Sequence, residues 1–175
     1  MDRRSATRAA APGRDMERFV KIASGFDVAP ALAELEPMSD YWLDMNGDAL
    51  RFIPLLGVGN CRLLEAELAE TWRLIDAALD LARRDHGDAG SLCHARVGLM
   101  PPGSGYGLHF DGVDGIRERR YQLSLKSEAG ADVVIEGEAR CWEPGEAWQI
   151  DVSRWHSVMN YSQADRITIL FDTLS

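Results

Sequence analysis

Little in this sequence serves to cross-link it. Three of its 175 residues are cysteine, Cys61, Cys93 and Cys141. They are widely spaced and odd in number, which argues against a disulfide framework or a zinc site and for reduced thiols in a cytoplasmic protein. Positive charge is also scarce. The 19 Lys and Arg stand against 28 Asp and Glu, a net charge of −9, so the basic footprint of a nucleic-acid partner is missing. No apolar run approaches the length needed to span a membrane. The first 18 residues carry Arg3, Arg4, Arg8, Arg14 and Arg18 among small residues but lack the apolar core of a secretory signal. Asp2, Asp15 and Glu17 weaken an organellar presequence, and residues 1–18 read as a disordered tail.

What remains is ordinary for a soluble globular protein: 46% apolar and 27% charged residues. The length fits one domain over residues 19–175, with a helical part over 19–90 and a barrel over 91–175. In the first part, Asp27 is placed to cap a helix through Val28–Leu35, with Pro30 in its first turn. Asn60 is placed to cap a longer one from about Cys61 to Arg84. Leu64, Leu68, Trp72, Ile75 and Leu79 fall on one face of it.

After Gly90 the pattern becomes short runs between turn signals. Strands are predicted at Leu92–Met100, Tyr106–Phe110, Arg120–Leu125, Asp132–Ile135, Glu138–Trp142, Ala147–Ile150, His156–Tyr161 and Ile167–Phe171. The expected class is α+β, mainly β: a double-stranded β-helix (a cupin-like jelly roll) with the N-terminal helices packed on one outer face.

Histidine is sparse too, four in all, and two of the four carry the most specific signal. His109 and Asp111 are two apart, so on a strand both side chains point to one face. His156 follows on a later strand, with Arg166 opening the last one. Two imidazoles and one carboxylate hold Fe(II) on one face and leave the other positions for a co-substrate and O2. An Arg deep in the barrel gives a two-pronged partner to the far carboxylate of a diacid. Asp165, on the opposite strand face, does not neutralise it. The combination predicts an Fe(II)/2-oxoglutarate-dependent oxygenase with His109, Asp111 and His156 as metal ligands. Asp151, Ser153 and Asn160 flank the second His and are candidates either to orient an imidazole or to cap a turn. Trp155 reads as core packing.

The stretch Leu99–Asp172 resembles the aspartyl/asparaginyl β-hydroxylase family. The likeness rests on Met100-Pro101-Pro102-Gly103-Ser104, on Trp142-Glu143-Pro144-Gly145-Glu146, and on Ile150-Asp151-Val152-Ser153 leading to His156-Ser157-Val158-Met159-Asn160. Arg166 and Asp172 close it, and weaker likeness reaches back to Phe26-Asp27, Leu32, Trp42 and Ile53-Pro54-Leu55. The resemblance implies Fe(II), with 2-oxoglutarate and O2 as co-substrates and succinate and CO2 as co-products. It implies a hydroxylase acting on an Asp/Asn-type residue in a peptide or on a free amino acid.

Two features depart from the family. Its vertebrate peptide hydroxylase binds iron with two His alone, whereas Asp111 completes a triad here, closer to bacterial members that hydroxylate free amino acids such as proline. Asp111 also argues against halogenation, which needs that ligand position vacated. Where the family often has Arg-x-His, this chain has Arg120-Tyr121-Gln122, making Arg120 and Gln122 the candidate 2-oxoglutarate contacts. Arg96, Tyr106 and Arg117 lie near the expected mouth and suit a substrate carboxylate. The rival class is a metal-binding cupin that is not an oxygenase, such as an isomerase or a sensor domain.

Overall fold

The computed structural model describes residues 17–45, 49–87, 89–111 and 118–174. Of the expected tail, residues 1–16 lie outside the described residues. Arg18 lies within them and pairs with Glu136 at 3.1 Å and Glu138 at 3.5 Å.

The described residues form two α-helices and eleven strands. The helices are α1 (Ala29–Leu35) and α2 (Ala69–His86). The strands are β1 (Phe19–Ala23), β2 (Leu43–Asp44), β3 (Arg51–Pro54), β4 (Ser91–Met100), β5 (Gly105–His109), β6 (Glu118–Lys126), β7 (Ala131–Ile135), β8 (Glu138–Arg140), β9 (Ala147–Ile150), β10 (His156–Asn160) and β11 (Arg166–Leu174). All pairings are antiparallel. A seven-stranded sheet runs β1-β9-β6-β11-β4-β3-β2, and a four-stranded sheet runs β5-β10-β7-β8.

All eight strands expected after Gly90 are present, with ends shifted by a few residues. The first part, read as helical, also contains β1, β2 and β3, which extend the larger sheet at both edges. These strands are short, and the hydrogen bonds that define them come from pairing: β1 with β9, β3 with β4, and β2 with β3.

The second helix starts at Ala69, well after Asn60. Asn60 and Leu64 adopt positive φ values of 58° and 52°, which break the helix there. The cap comes from the other helix. The carboxylate of Glu34 in α1 accepts the N–H groups of Glu70 at 2.7 Å and Thr71 at 3.0 Å, and the Thr71 hydroxyl at 3.1 Å. This fills the orphan donors of the first turn from outside the helix. Helix α1 starts one residue later than expected, with Val28 and not Asp27 at its N-cap, and Asp27, one position further out, accepts the Ala29 N–H at 3.2 Å.

Alternation sorts the larger sheet into two faces. Tyr121, Leu123 and Leu125 of β6, Ala95 and Val97 of β4, and Ile169 and Phe171 of β11 bury against Leu68, Trp72, Ile75 and Leu79. A second cluster joins the two sheets: Phe19 and Ile150 from the larger, Val133, Ile135 and Val158 from the smaller, with Trp142 and Val152. Burying side chains of this size contributes about 1.5–3 kcal/mol each. Beside that cluster the sheets part, leaving a cavity that receives the remaining inward side chains.

Candidate metal centre and its cavity

His109 ends β5 and His156 opens β10, and the two are register partners across the antiparallel pair. Their rings stand 4.1 Å apart, centroid to centroid. Asp111 lies two residues past the end of β5 rather than inside it, so strand alternation alone does not aim it. Its N–H donates to Val152 O at 2.9 Å, and that bond returns the side chain to the same place. Asp111 Oδ1 is 3.7 Å from His109 Nε2, and Oδ2 is 3.9 Å from His156 Nε2. One ligand atom from each residue lies within 4.8 Å of the others.

The close approach of β5 and β10 depends on Gly105. A Cβ there would meet Met159 Sδ and stand 2.6 Å from Val158 O. Only glycine allows this spacing without moving the strand that carries His109.

Each imidazole is set by a backbone carbonyl. His109 Nδ1 donates to Gly107 O at 2.7 Å, and His156 Nδ1 donates to Arg154 O at 2.9 Å. A carbonyl only accepts, so Nδ1 carries the proton and Nε2 turns its lone pair toward Asp111. Burial lowers the His156 pKa and so favours the neutral ring, and this outweighs the opposing pull of the hydrogen bond to the Arg154 carbonyl. Two neutral imidazoles and one carboxylate suit Fe(II).

The flanking candidates act on the turn instead. Asp151 accepts the Ser153 N–H at 3.2 Å, its hydroxyl at 2.5 Å and Arg154 Nε at 2.8 Å. Asn160 donates to Met100 O and Ala164 O, both at 2.8 Å. None of the three touches an imidazole. Sequence offers no signal for the carbonyls that do, because every residue has one.

The cavity is about 590 Å³ and lies between the larger sheet and β5–β10. Arg166, Thr168, Leu170 and Asp172 of β11 face it on alternate positions, with Arg120 and Gln122 of β6. Arg166 is buried, and its Nη2 donates to Gln122 Oε1 at 2.9 Å. Its guanidinium also stands 5.6 Å from the centre of the Trp142 ring. No carboxylate among the described residues pairs with it, and burial pushes its pKa down to about 10. Thr168 Oγ1, in the same wall, is buried without a partner.

Arg120 is committed to two carboxylates. It donates to Asp172 from Nε and Nη2 at 2.8 Å each, and to Asp111 from Nη1. Arg96 lines the mouth above Phe52 and has no carboxylate partner among the described residues. Burial, with the like charge of Arg120, lowers its pKa. Tyr106 stands edge-on to His109, with ring centroids 4.3 Å apart. Arg117 lies outside the described residues.

One aromatic expectation is corrected. Trp155 is 53% exposed rather than core, and Phe110 is 53% exposed beside it, with ring centroids 5.1 Å apart. Both flank the ligand histidines on strands of the smaller sheet whose inward positions those histidines occupy. Their side chains therefore turn out to solvent.

Residues 60–175 match the family model described as aspartyl/asparaginyl β-hydroxylase. The chain belongs to this family. Its fold is also that of known oxygenase structures. An oxidoreductase of the 2OG-Fe(II) oxygenase family from Burkholderia pseudomallei aligns with a TM-score of 0.65 at 14% identity, over 89% of this chain and 84% of that one. A prolyl-4-hydroxylase from Pseudomonas putida aligns with a TM-score of 0.61 at 16% identity, over 90% and 91%. The non-heme α-ketoglutarate-dependent carbocyclase SnoK of nogalamycin biosynthesis aligns with a TM-score of 0.69 at 11% identity, over 90% and 80%. No curated protein sequence matches.

Family membership sets aside the cupin without oxygenase chemistry. The protein is a hydroxylase that uses Fe(II) and 2-oxoglutarate. Among the described residues no helix is long and apolar enough to cross a membrane.

Proposed function

We propose that His109, Asp111 and His156 hold Fe(II), and that Arg166 with Gln122 receives the far carboxylate of 2-oxoglutarate at the cavity floor. One observation carries this reading. Arg166 is a buried cation without a counter-charge among the described residues, in the same cavity as the triad. An unpaired buried charge is costly, and a dicarboxylate would offset that cost. Bound here, Fe(II) with 2-oxoglutarate and O2 supplies the oxidising power to turn an unactivated C–H into C–OH, releasing succinate and CO2. The residues around it bind and orient. The two sheets enclosing the cavity form a double-stranded β-helix with the helices on one outer face, and residues 19–175 act as one domain.

The substrate is an Asp/Asn-type residue in a peptide or a free amino acid. Arg96 supports a substrate bearing a carboxylate, because it is a second cation in the cavity with no described counter-charge. Tyr106 and Arg117 are the other proposed contacts. The cavity volume lies within the range of small-molecule sites.

The test is an anaerobic titration of metal-free protein with Fe(II) and then 2-oxoglutarate, following the visible charge-transfer band of the chelate. The band should require both ligands and vanish in Arg166→Ala while iron content stays the same. Iron binding without a band would overturn the co-substrate assignment. A band that survives in Arg166→Ala would remove Arg166 from it.

A further inference from the structure

A row of polar and charged side chains crosses the floor of the larger sheet and ends on the carboxylate of Asp111. Asp172 of β11 is the register partner of His94 in β4 and of Arg120 in β6. His94 Nδ1 lies 3.4 Å from Asp172 Oδ2. Asp172 takes the Nε and Nη2 edge of Arg120 as a two-pronged pair. The remaining donor, Nη1, reaches Asp111 Oδ2. The Arg120 and Asp172 side chains are only 13% and 6% exposed, so the pair is fixed within the sheet.

We propose that Asp172 is a positioning residue for Asp111, an inference that rests on the triad being a metal site. A guanidinium facing one carboxylate prefers to cover both oxygens through two parallel hydrogen bonds. Asp172 takes one two-donor edge of Arg120, Nε with Nη2, and so fixes the position and plane of the guanidinium. From that fixed position Nη1 reaches Asp111 at Oδ2, and Oδ1, 3.7 Å from His109 Nε2, is left free for an ion. The Asp111 backbone is already fixed through Val152 O, so side-chain rotation is the freedom this contact removes. Without Asp172, Arg120 turns its whole fork to Asp111 and competes with the metal for both oxygens.

Cobalt(II) titrated into metal-free protein reads this directly, through its affinity and its visible bands. Asp172→Asn keeps the side-chain shape and one acceptor oxygen, and should weaken cobalt binding by about tenfold, the lower end of what such supporting partners are worth. Phe171→Leu alters the core-facing side of β11 and should lower the melting temperature with cobalt affinity unchanged. In Arg120→Lys the planar fork that fixes both carboxylates at once is lost, so the bands should shift as Asp111 turns. That variant decides the matter if Asp172→Asn does not fold. Unchanged affinity in folded Asp172→Asn, an equal loss in Phe171→Leu, or unaltered affinity and bands in Arg120→Lys overturns the inference. Wild-type protein that binds no cobalt overturns the metal reading itself, an outcome recognised without any variant.

Discussion

Arg166 and Gln122 meet at 2.9 Å on neighbouring strands, a buried guanidinium against a neutral amide oxygen. The amide orients the cation but brings no negative charge. In the ligand-free protein the pair therefore costs stability, and replacing the cation with an apolar side chain of similar volume should stabilise the fold. Arg166→Met should raise the melting temperature of the ligand-free protein and abolish the further rise that 2-oxoglutarate gives the wild type. A lower melting temperature with the 2-oxoglutarate shift retained would show that Arg166 serves the fold and not the co-substrate.

Burial sets the pH range of that binding. It holds the Arg166 pKa at about 10, below the ordinary arginine value, and a bound carboxylate raises it again. Affinity for 2-oxoglutarate should therefore be flat below about pH 10 and fall about tenfold per unit above it, as the free protein gives up the proton. For folding the sign runs the other way. The depressed value is a cost present in full below about 10, and relieved as pH rises from there toward the unfolded value. Calorimetric titration from about pH 7 to 11 checks the binding limb. A decline already evident near pH 8 would assign it to another group.

Arg96 is expected to act on the substrate alone. Arg96→Gln should keep cobalt binding and the iron–2-oxoglutarate band, and raise KM for a carboxylate-bearing substrate about 10–100-fold, the worth of one charge-assisted contact. Substrate-dependent 2-oxoglutarate consumption, measured over free amino acids and Asp- or Asn-containing peptides, identifies that substrate and then the effect. An unchanged KM would leave the mouth without a carboxylate site at Arg96.

Glu34 tests the helix junction far from the chemistry. Glu34→Ala leaves the Glu70 and Thr71 N–H groups and the Thr71 hydroxyl without their acceptor. Loss of a helix cap costs about 1–2 kcal/mol. The denaturant midpoint should drop accordingly while 2-oxoglutarate binding stays the same. Equal midpoints would mean that water replaces the carboxylate without loss.

The strands after Gly90 were legible because each carries its own alternation between turn residues, and β9 falls on the expected residues, Ala147–Ile150. The strands β1 and β3 were not. Phe19–Ala23 and Arg51–Pro54 are too short to declare a period, and β3 ends in a proline; each is a strand because a neighbour distant in sequence pairs with it. The start of α2 was hidden for the same kind of reason, since its cap is Glu34 and not Asn60. His109, Asp111 and His156 were readable as a set, and the structure brings them together. How each is aimed was not readable. Asp111 is placed by a bond to Val152 O, and the rings by Gly107 and Arg154 carbonyls. Arg120 and Asp172 lie 52 residues apart, a separation over which no local pattern links them.

The cavity wall has two origins. His109, Asp111, His156 and Arg166 come from residues that match the family model, whereas Met45, Leu50, Arg51 and Phe52 precede them. Part of the cavity's shape is thereby carried on a stretch of chain separate from the chemistry. Exchanging the loop and edge strand around residues 43–54 for another sequence would retune which molecules fit while the reaction stays the same. The earlier strands are in this sense an interchangeable aperture on a fixed engine.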